Sequence, residues 1–361
     1  MKPKKLVLQN GKEFVGMGSG NDKVAEVVFH TGMIGYQDIL ANPYYEGKFV
    51  CMTYPLIGNY GASDDEFGSK DYHVEGFIVK DNDFTASNMR YMDSLDDFSL
   101  ANELAFLCDV DTRMLAKVIR DEGSMLGIIT DVETSKKEAL EKIANYEPVS
   151  GIVKKLSTKR PYITKANKPK YQVVCLDLGL KNNIINELTA RKCNVVVLPY
   201  NSDAEKILSY NPDAIIVSNG ADSPVELNIV AQNLKQLIGK LPIAGIGLGH
   251  LIVASACKAE VVKMKCGHHG ANQSVKNLSS KKIMITSQSH NYEVCEKSLE
   301  NTNLVVTLQN LSDNSIEGLA STLDKVITCQ FDSSEASCSP VVKSIYDELV
   351  DMMKACKGGN K

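Results

Sequence analysis

Residues 241 to 256 read Leu-Pro-Ile-Ala-Gly-Ile-Gly-Leu-Gly-His-Leu-Ile-Val-Ala-Ser-Ala, the build of a nucleophile elbow with no nucleophile in it. A short apolar run, Ile243 to Ile246, enters a tight glycine turn, and an apolar helix follows at once. In hydrolases and transferases of this build the apex residue presents a Ser or Cys at the end of a sheet. Here the apex is Gly247, which has no side chain to attack with. Glycine accepts positive φ without a Cβ penalty, so it also relieves about 1–3 kcal/mol of strain that another residue would carry there. Cys257 is ten residues on. Along a helix that is about 15 Å away, too far to substitute, and it reads as a core thiol.

The elements that must position this turn follow from the apolar patterning. After Lys170 the chain alternates strand and helix: strands at Gln172 to Leu176, Asn194 to Pro199, Ala214 to Ser218 and Ile243 to Ile246, with helices at Asn183 to Ala190, Asp203 to Ser209 and Pro224 to Ile238 and after Gly249. A last strand, Lys325 to Phe331, precedes an acidic-apolar helix, Val341 to Met353. Continuous apolar strands with intervening helices imply an α/β domain with an open, mostly parallel sheet covered on both faces. Ligands of such sheets sit at the strand carboxyl ends. Gly247 and the loop Asn219-Gly220-Ala221-Asp222-Ser223-Pro224 both fall there.

The first hundred residues are rich in strands and turns, with short β-type runs at Lys5 to Gln9, Glu26 to His30, Phe49 to Tyr54 and Val74 to Val79. From about Phe98 to Gly123 the pattern turns helical, and Asp111-Thr112-Arg113 opens an amphipathic helix that closes at Gly123. Lys136 to Ala144 is a further short helix. The expected organisation is an N-terminal mixed β/α domain over residues 1–148, a polar linker over 149–170 and the α/β domain over 171–361. The ten cysteines stand singly, with no CxxC pair and no export signal, which reads as reduced thiols in a cytoplasmic protein. His268 and His269 are adjacent with no cysteine pair beside them, so no metal is expected. A net charge of −4 without a basic stripe argues against nucleic acid, and no apolar run is long enough for a membrane span.

The motifs resemble one family closely, the small subunit of carbamoyl-phosphate synthetase. In the first domain the resemblance rests on Thr31-Gly32-Met33-Ile34-Gly35-Tyr36-Gln37, on Thr53-Tyr54-Pro55-Leu56-Ile57-Gly58-Asn59, and on Asp111-Thr112-Arg113 with Ile119-Arg120 and Gly123. In the second it rests on Leu198-Pro199-Tyr200-Asn201, Ser218-Asn219-Gly220, Gly267-His268-His269-Gly270, and Ser287-Gln288 with His290. The resemblance implies that the second domain is of the class I glutamine amidotransferase type. In that family an elbow cysteine attacks the glutamine amide, a histidine oriented by a glutamate moves the proton, and ammonia passes to a large subunit. The large subunit uses ATP, Mg and bicarbonate to make carbamoyl phosphate for pyrimidine and arginine biosynthesis. No cofactor is expected in this chain itself, and the large subunit is the expected partner.

Position by position, the resemblance places changes in every working part. The family's Gly-Ile-Cys-Leu-Gly-His is Gly245-Ile246-Gly247-Leu248-Gly249-His250. Its His-Pro-Glu-Ala-Ser stretch becomes Asp332-Ser333-Ser334-Glu335-Ala336-Ser337, so the histidine position falls on Asp332 or Ser333 while Glu335 matches the glutamate. An aspartate of ordinary pKa is a poor acid for a leaving amine at neutral pH. Asp222 replaces the second glycine of the oxyanion loop, where a carboxylate opposes the developing negative charge. In the glutamine pocket, Leu251 stands for a glutamine, Ser289 for an asparagine, Asn291 for a glycine, Tyr292 for a phenylalanine and Tyr44 for a serine. Gly220, Leu248 and the aromatic ring at 292 survive. These changes put glutamine binding in doubt, because a polar site loses heavily when its partners go missing. The expectation is a glutaminase abandoned on a fold still in use. Two alternatives stand beside it: a working glutaminase using unconventional residues, with Cys329 or Cys338 as the thiol, and a non-enzymatic binding module with a remodelled pocket.

Overall fold

The computed structural model describes residues 1–61, 72–82, 89, 92–221, 224–332 and 344–358. The chain divides into two units, Met1–Val149 with Lys265–Gly270, and Ser150–Met264 with Ala271–Lys361.

In the first unit the elements run β1 (Lys2–Leu8), β2 (Glu13–Ser19), β3 (Lys23–His30), α1 (Tyr36–Leu40), β4 (Lys48–Met52), β5 (Leu56–Ile57), β6 (Gly76–Ile78), β7 (Asp81–Asn82), α2 (Leu95–Ala101), β8 (Ala105–Cys108), α3 (Thr112–Glu122), β9 (Met125–Asp131) and α4 (Lys136–Ala144). Seven strands close into a barrel in the order β1-β2-β8-β6-β4-β3-β9. The pairs β3–β4, β4–β6 and β6–β8 are parallel. Alternate side chains enter two different cores, as strand geometry requires. Phe49 and Cys51 join Leu6, Val27 and Leu115, while Val50 and Met52 join Tyr36, Tyr45 and Phe106. Helix α3 begins where Asp111 Oδ1 accepts the Met114 N–H at 2.9 Å and ends at Gly123. The stretch from Phe98 to Gly123, read as helical throughout, contains β8 between α2 and α3. Its four residues are all buried, so they carry no polar alternation that would distinguish a strand.

The second unit runs α5 (Ile152–Leu156), β10 (Tyr162–Thr164), β11 (Tyr171–Leu178), α6 (Asn182–Ala190), β12 (Cys193–Pro199), α7 (Ala204–Leu208), β13 (Ala214–Gly220), α8 (Pro224–Lys235), β14 (Ile243–Ile246), α9 (Leu248–Ala256), β15 (Val261–Asn277), β16 (Ile283–Val294), β17 (Val305–Asn310), β18 (Ile316–Ser321), β19 (Val326–Cys329) and α10 (Ser344–Gly358). These strands make one sheet in the order β10-β12-β11-β13-β14-β19-β18-β17-β15-β16. The run from β12 to β19 is parallel, and β18 and β17 continue it antiparallel. The α/β class therefore holds, with a mixed sheet built on a parallel centre. Residues of α8 and α9 cover one face with Val230, Leu234, Leu251 and Ile252. Residues of α6 and α10 cover the other with Ile184, Leu188, Tyr346 and Leu349.

Residues 149–170, read as a linker, carry α5 and β10, and β10 pairs antiparallel with β12 at the sheet edge. The strand is three residues long and mostly exposed, too short to show a period in sequence. Two backbone contacts tie this segment down: the Thr158 N–H donates to Asp177 Oδ2 at 2.7 Å and the Tyr200 N–H to Ser157 Oγ at 3.0 Å. Among the described residues no helix is long and apolar enough to cross a membrane.

The parallel centre positions α9 through glycine. A β-carbon on Gly249 would lie 2.1 Å from the Val217 carbonyl oxygen and 2.7 Å from its carbon. Backbone atoms of a central strand cannot yield, so Gly249→Ala should cost about 3 kcal/mol, the upper part of the usual overpacking range. Urea unfolding, read as a fall in midpoint at constant slope, checks this.

Candidate functional site

At the carboxyl end of β14, Gly247 takes φ 57° and ψ −115° as it caps α9. That is the sharp strand-to-helix turn of an elbow, held without any apex side chain. The Gly247 N–H donates to the Cys329 carbonyl at 2.9 Å, and the His250 N–H returns to the Gly247 carbonyl at 3.0 Å. A β-carbon at 247 would meet Asn219 Cβ at 3.4 Å and the Gln330 carbonyl oxygen at 3.9 Å, both ordinary contacts. Space for a β-carbon exists, and the positive φ is what disfavours one.

Around the apex, the ends of β11, β13 and β19 contribute polar groups. The Lys181 N–H, just past β11, donates to Asn219 Oδ1 at 3.3 Å. Lys181 Nζ lies 2.5 Å from Asp332 Oδ2. The Asp332 N–H donates to the Ser287 carbonyl at 3.0 Å, placing Asp332 beside β16. The structure therefore brings together Gly247, Asn219, Lys181 and Asp332. Sequence reading missed Lys181; its signal was its place at the end of a parallel strand, the same criterion that located Gly247.

The pocket positions have varied fates. Gly220 is buried, and a β-carbon there would sit 2.0 Å from the Leu178 carbonyl oxygen, so its glycine is required by strand pairing. Leu248 and Leu251 are buried in the apolar core on the α8 and α9 face, and the ring of Tyr292 packs against that core. Asn291 is buried and Ser289 half-buried in β16. His290 Nδ1 lies 3.1 Å from the Tyr292 carbonyl and Nε2 3.3 Å from Gln288 Oε1. Tyr44 belongs to the first unit, where it is buried against Tyr45 and His269 with Lys48 Nζ 4.6 Å from its ring centre. Asp222, Ser223, Ser333, Glu335 and Cys338 lie outside the described residues.

Neither Cys329 nor Cys257 offers a substitute at the elbow. Cys329 is buried within the core shared with α6 and α10, and its Sγ contacts the Phe331 carbonyl at 3.7 Å. Burial pushes the Cys257 thiol up to about 12, far from a thiolate at neutral pH. His250, in the elbow motif itself, is fully buried with Nδ1 2.8 Å from Thr328 Oγ1. Burial pushes its pKa down to about 3, so the ring is neutral and cannot act as an acid near pH 7.

Two outcomes follow from this geometry. Gly247→Cys should fold but lose about 1–3 kcal/mol of stability, because the positive φ persists while the space is adequate; urea unfolding reads the loss. The His250 pKa is depressed in the folded state, so the unfolded chain binds the proton first. Its stabilising contribution is present above about pH 6.5 and is lost as pH falls toward 3, at about 1.4 kcal/mol per pH unit. His250→Gln should remove that much from the slope of stability against pH, measured by urea unfolding between pH 6 and 4.

Residues 6–129 match the family described as carbamoyl-phosphate synthase small chain, CPSase domain, and residues 174–337 match glutamine amidotransferase class-I. The chain is similar to the carbamoyl phosphate synthase small chain of Oceanobacillus iheyensis, 39% identical over 99% of this chain and 98% of that protein. It is similar to the carbamoyl phosphate synthase small chain of Bacillus caldolyticus, 40% identical over 97% of this chain and 96% of that one. The carbamoyl phosphate synthase pyrimidine-specific small chain of Halalkalibacterium halodurans is 38% identical, covering 98% of each. With both family models in sequence order and full-length relatives well above 30% identity, the chain belongs to the carbamoyl-phosphate synthase small-chain family.

Proposed function

We propose that this chain is the small subunit of a carbamoyl-phosphate synthetase whose glutamine-hydrolysing site is inactive, so that its large subunit uses free ammonia. The observation that carries the reading is Gly247: the elbow turn is kept at φ 57° and ψ −115° while the attacking atom is absent. Hydrolysis of the glutamine amide through a covalent intermediate needs a thiolate or alkoxide at that apex and a proton carrier within hydrogen-bond reach. Asp332 is engaged by Lys181, and Cys329 is buried in the apolar core. The loss of the apex thiol and of the histidine together argues against unconventional catalysis.

In this reading the chain's work is structural. It docks on the large subunit, which binds ATP and Mg and carries out carbamoyl phosphate synthesis in the cytoplasm for pyrimidine or arginine biosynthesis. Glu335, without its histidine, has no catalytic task, and Asp222 sits in an oxyanion loop that no longer serves one. Leu251, Ser289 and Asn291 in the second unit, and Tyr44 in the first, no longer offer the side chains with which the family holds glutamine.

The assay is carbamoyl phosphate synthesis by the chain with its large subunit, supplied with either ammonium or glutamine. Ammonium should support turnover, and glutamine freed of ammonia should not. Glutamine-dependent turnover in ammonia-free buffer would overturn the reading. Gly247→Cys alone should leave glutamine unused, since a thiol without a proton carrier lacks both an activating base and an acid for the leaving ammonia.

A further inference from the structure

Lys181 and Asp332 form a close ion pair at the carboxyl end of the sheet, with side chains 19% and 15% exposed. The sheet order β11-β13-β14-β19 sets what that pair must span. Lys181 follows β11 and Asp332 follows β19, with β13 and β14 between them. At a strand spacing of about 4.8 Å, the two strand ends stand roughly 14 Å apart. The pair therefore reaches across the ends of β13 and β14, where Asn219 and Gly247 lie. Both sides are anchored through the backbone, Lys181 to Asn219 Oδ1 and Asp332 to the Ser287 carbonyl.

We propose that the Lys181–Asp332 pair is an ion-pair strap laid across the elbow, occupying the place of the lost proton carrier and holding the ends of β11 and β19 together. The assignment of Asp332 to the lost histidine's position rests on the proposed inactivity. The strap itself stands on the pair's geometry and the strand order. A carboxylate engaged by an ammonium serves as a hydrogen-bond acceptor, and a largely buried pair couples its partners more strongly than an exposed one. Removing either partner takes from the other, at a largely buried position, its close counter-charge. Replacing Asp332 with histidine has the same consequence, so restoring the family's base removes the tie that orders the ends around it.

A double-mutant cycle on the full chain tests the strap, with Lys181→Met, Asp332→Ala and the double variant compared by urea unfolding. Each single substitution should lower the folding equilibrium constant about tenfold, and the double should lose little more than either, as for contacting charged residues. The exchanged pair, Lys181→Asp with Asp332→Lys, should recover most of the loss. Additive losses without recovery overturn the proposal. For variants that fold, the thiol introduced by Gly247→Cys provides a second readout, independent of unfolding, through its alkylation by iodoacetamide followed by mass spectrometry of its peptide. A strap over the elbow predicts a several-fold faster reaction once Lys181→Met is added, whereas loss of a nearby positive charge alone would slow it; an unchanged or slower rate overturns the proposal. Glutamine hydrolysis by the unaltered chain, assayed separately, bears on inactivity and not on the coupling, so the two failures are distinguishable.

Discussion

The close approach of α9 to the parallel sheet is the constraint on which the rest of this region depends. Gly245 and Gly249 sit where a β-carbon would strike backbone, 2.5 Å from the Gly249 carbonyl oxygen in one case and 2.1 Å from the Val217 carbonyl oxygen in the other. With those two positions fixed, the chain between them has to reverse within a few residues. The turn at Gly247 is the result, and it needs no side chain of its own. Chemistry and architecture are separable here because the atoms that set the geometry are main-chain atoms. A reactive group can vanish from the apex and the strand, turn and helix remain as they were.

Loss of a reactive group also changes what its neighbours are free to become. A catalytic pair must keep a proton mobile, which forbids either member from being fully engaged elsewhere. Once that demand lapses, a carboxylate can settle on the nearest cation. Under the proposed inactivity Lys181 and Asp332 fit this description, each held through its own backbone and paired with the other. Leu251, for its part, is buried in the apolar core on the α8 and α9 face.

Much of this was legible from the residues, for identifiable reasons. Helix α3 announces itself through Asp111 and Gly123, because capping chemistry is local. The parallel strands are apolar through their centres, since both faces are covered, and the elbow is legible because glycine spacing encodes close packing. The elements that escaped notice lack such local signatures. Strand β8 is four residues buried on both sides between two helices, and β10 is three mostly exposed residues whose only strand-like property is its neighbour β12. Lys181 is a lone lysine in sequence, and its partner lies 151 residues away. Which strand ends meet is decided by sheet order, and sheet order is a property of the whole unit.

Strand β10 carries a consequence for the edge of this sheet. It pairs Tyr162 with Val197, Ile163 with Val196 and Thr164 with Val195, so it covers the open backbone of β12, a strand with three consecutive valines at its centre. An uncovered strand of that composition is a template for pairing with another chain. This opening segment of the second unit thus covers an edge that would otherwise be open to such pairing. A fragment begun at Tyr171 would carry every helix and strand of the parallel centre and still present β12 bare. One begun before Ser157 would keep that cover together with the two hydrogen bonds that hold it down.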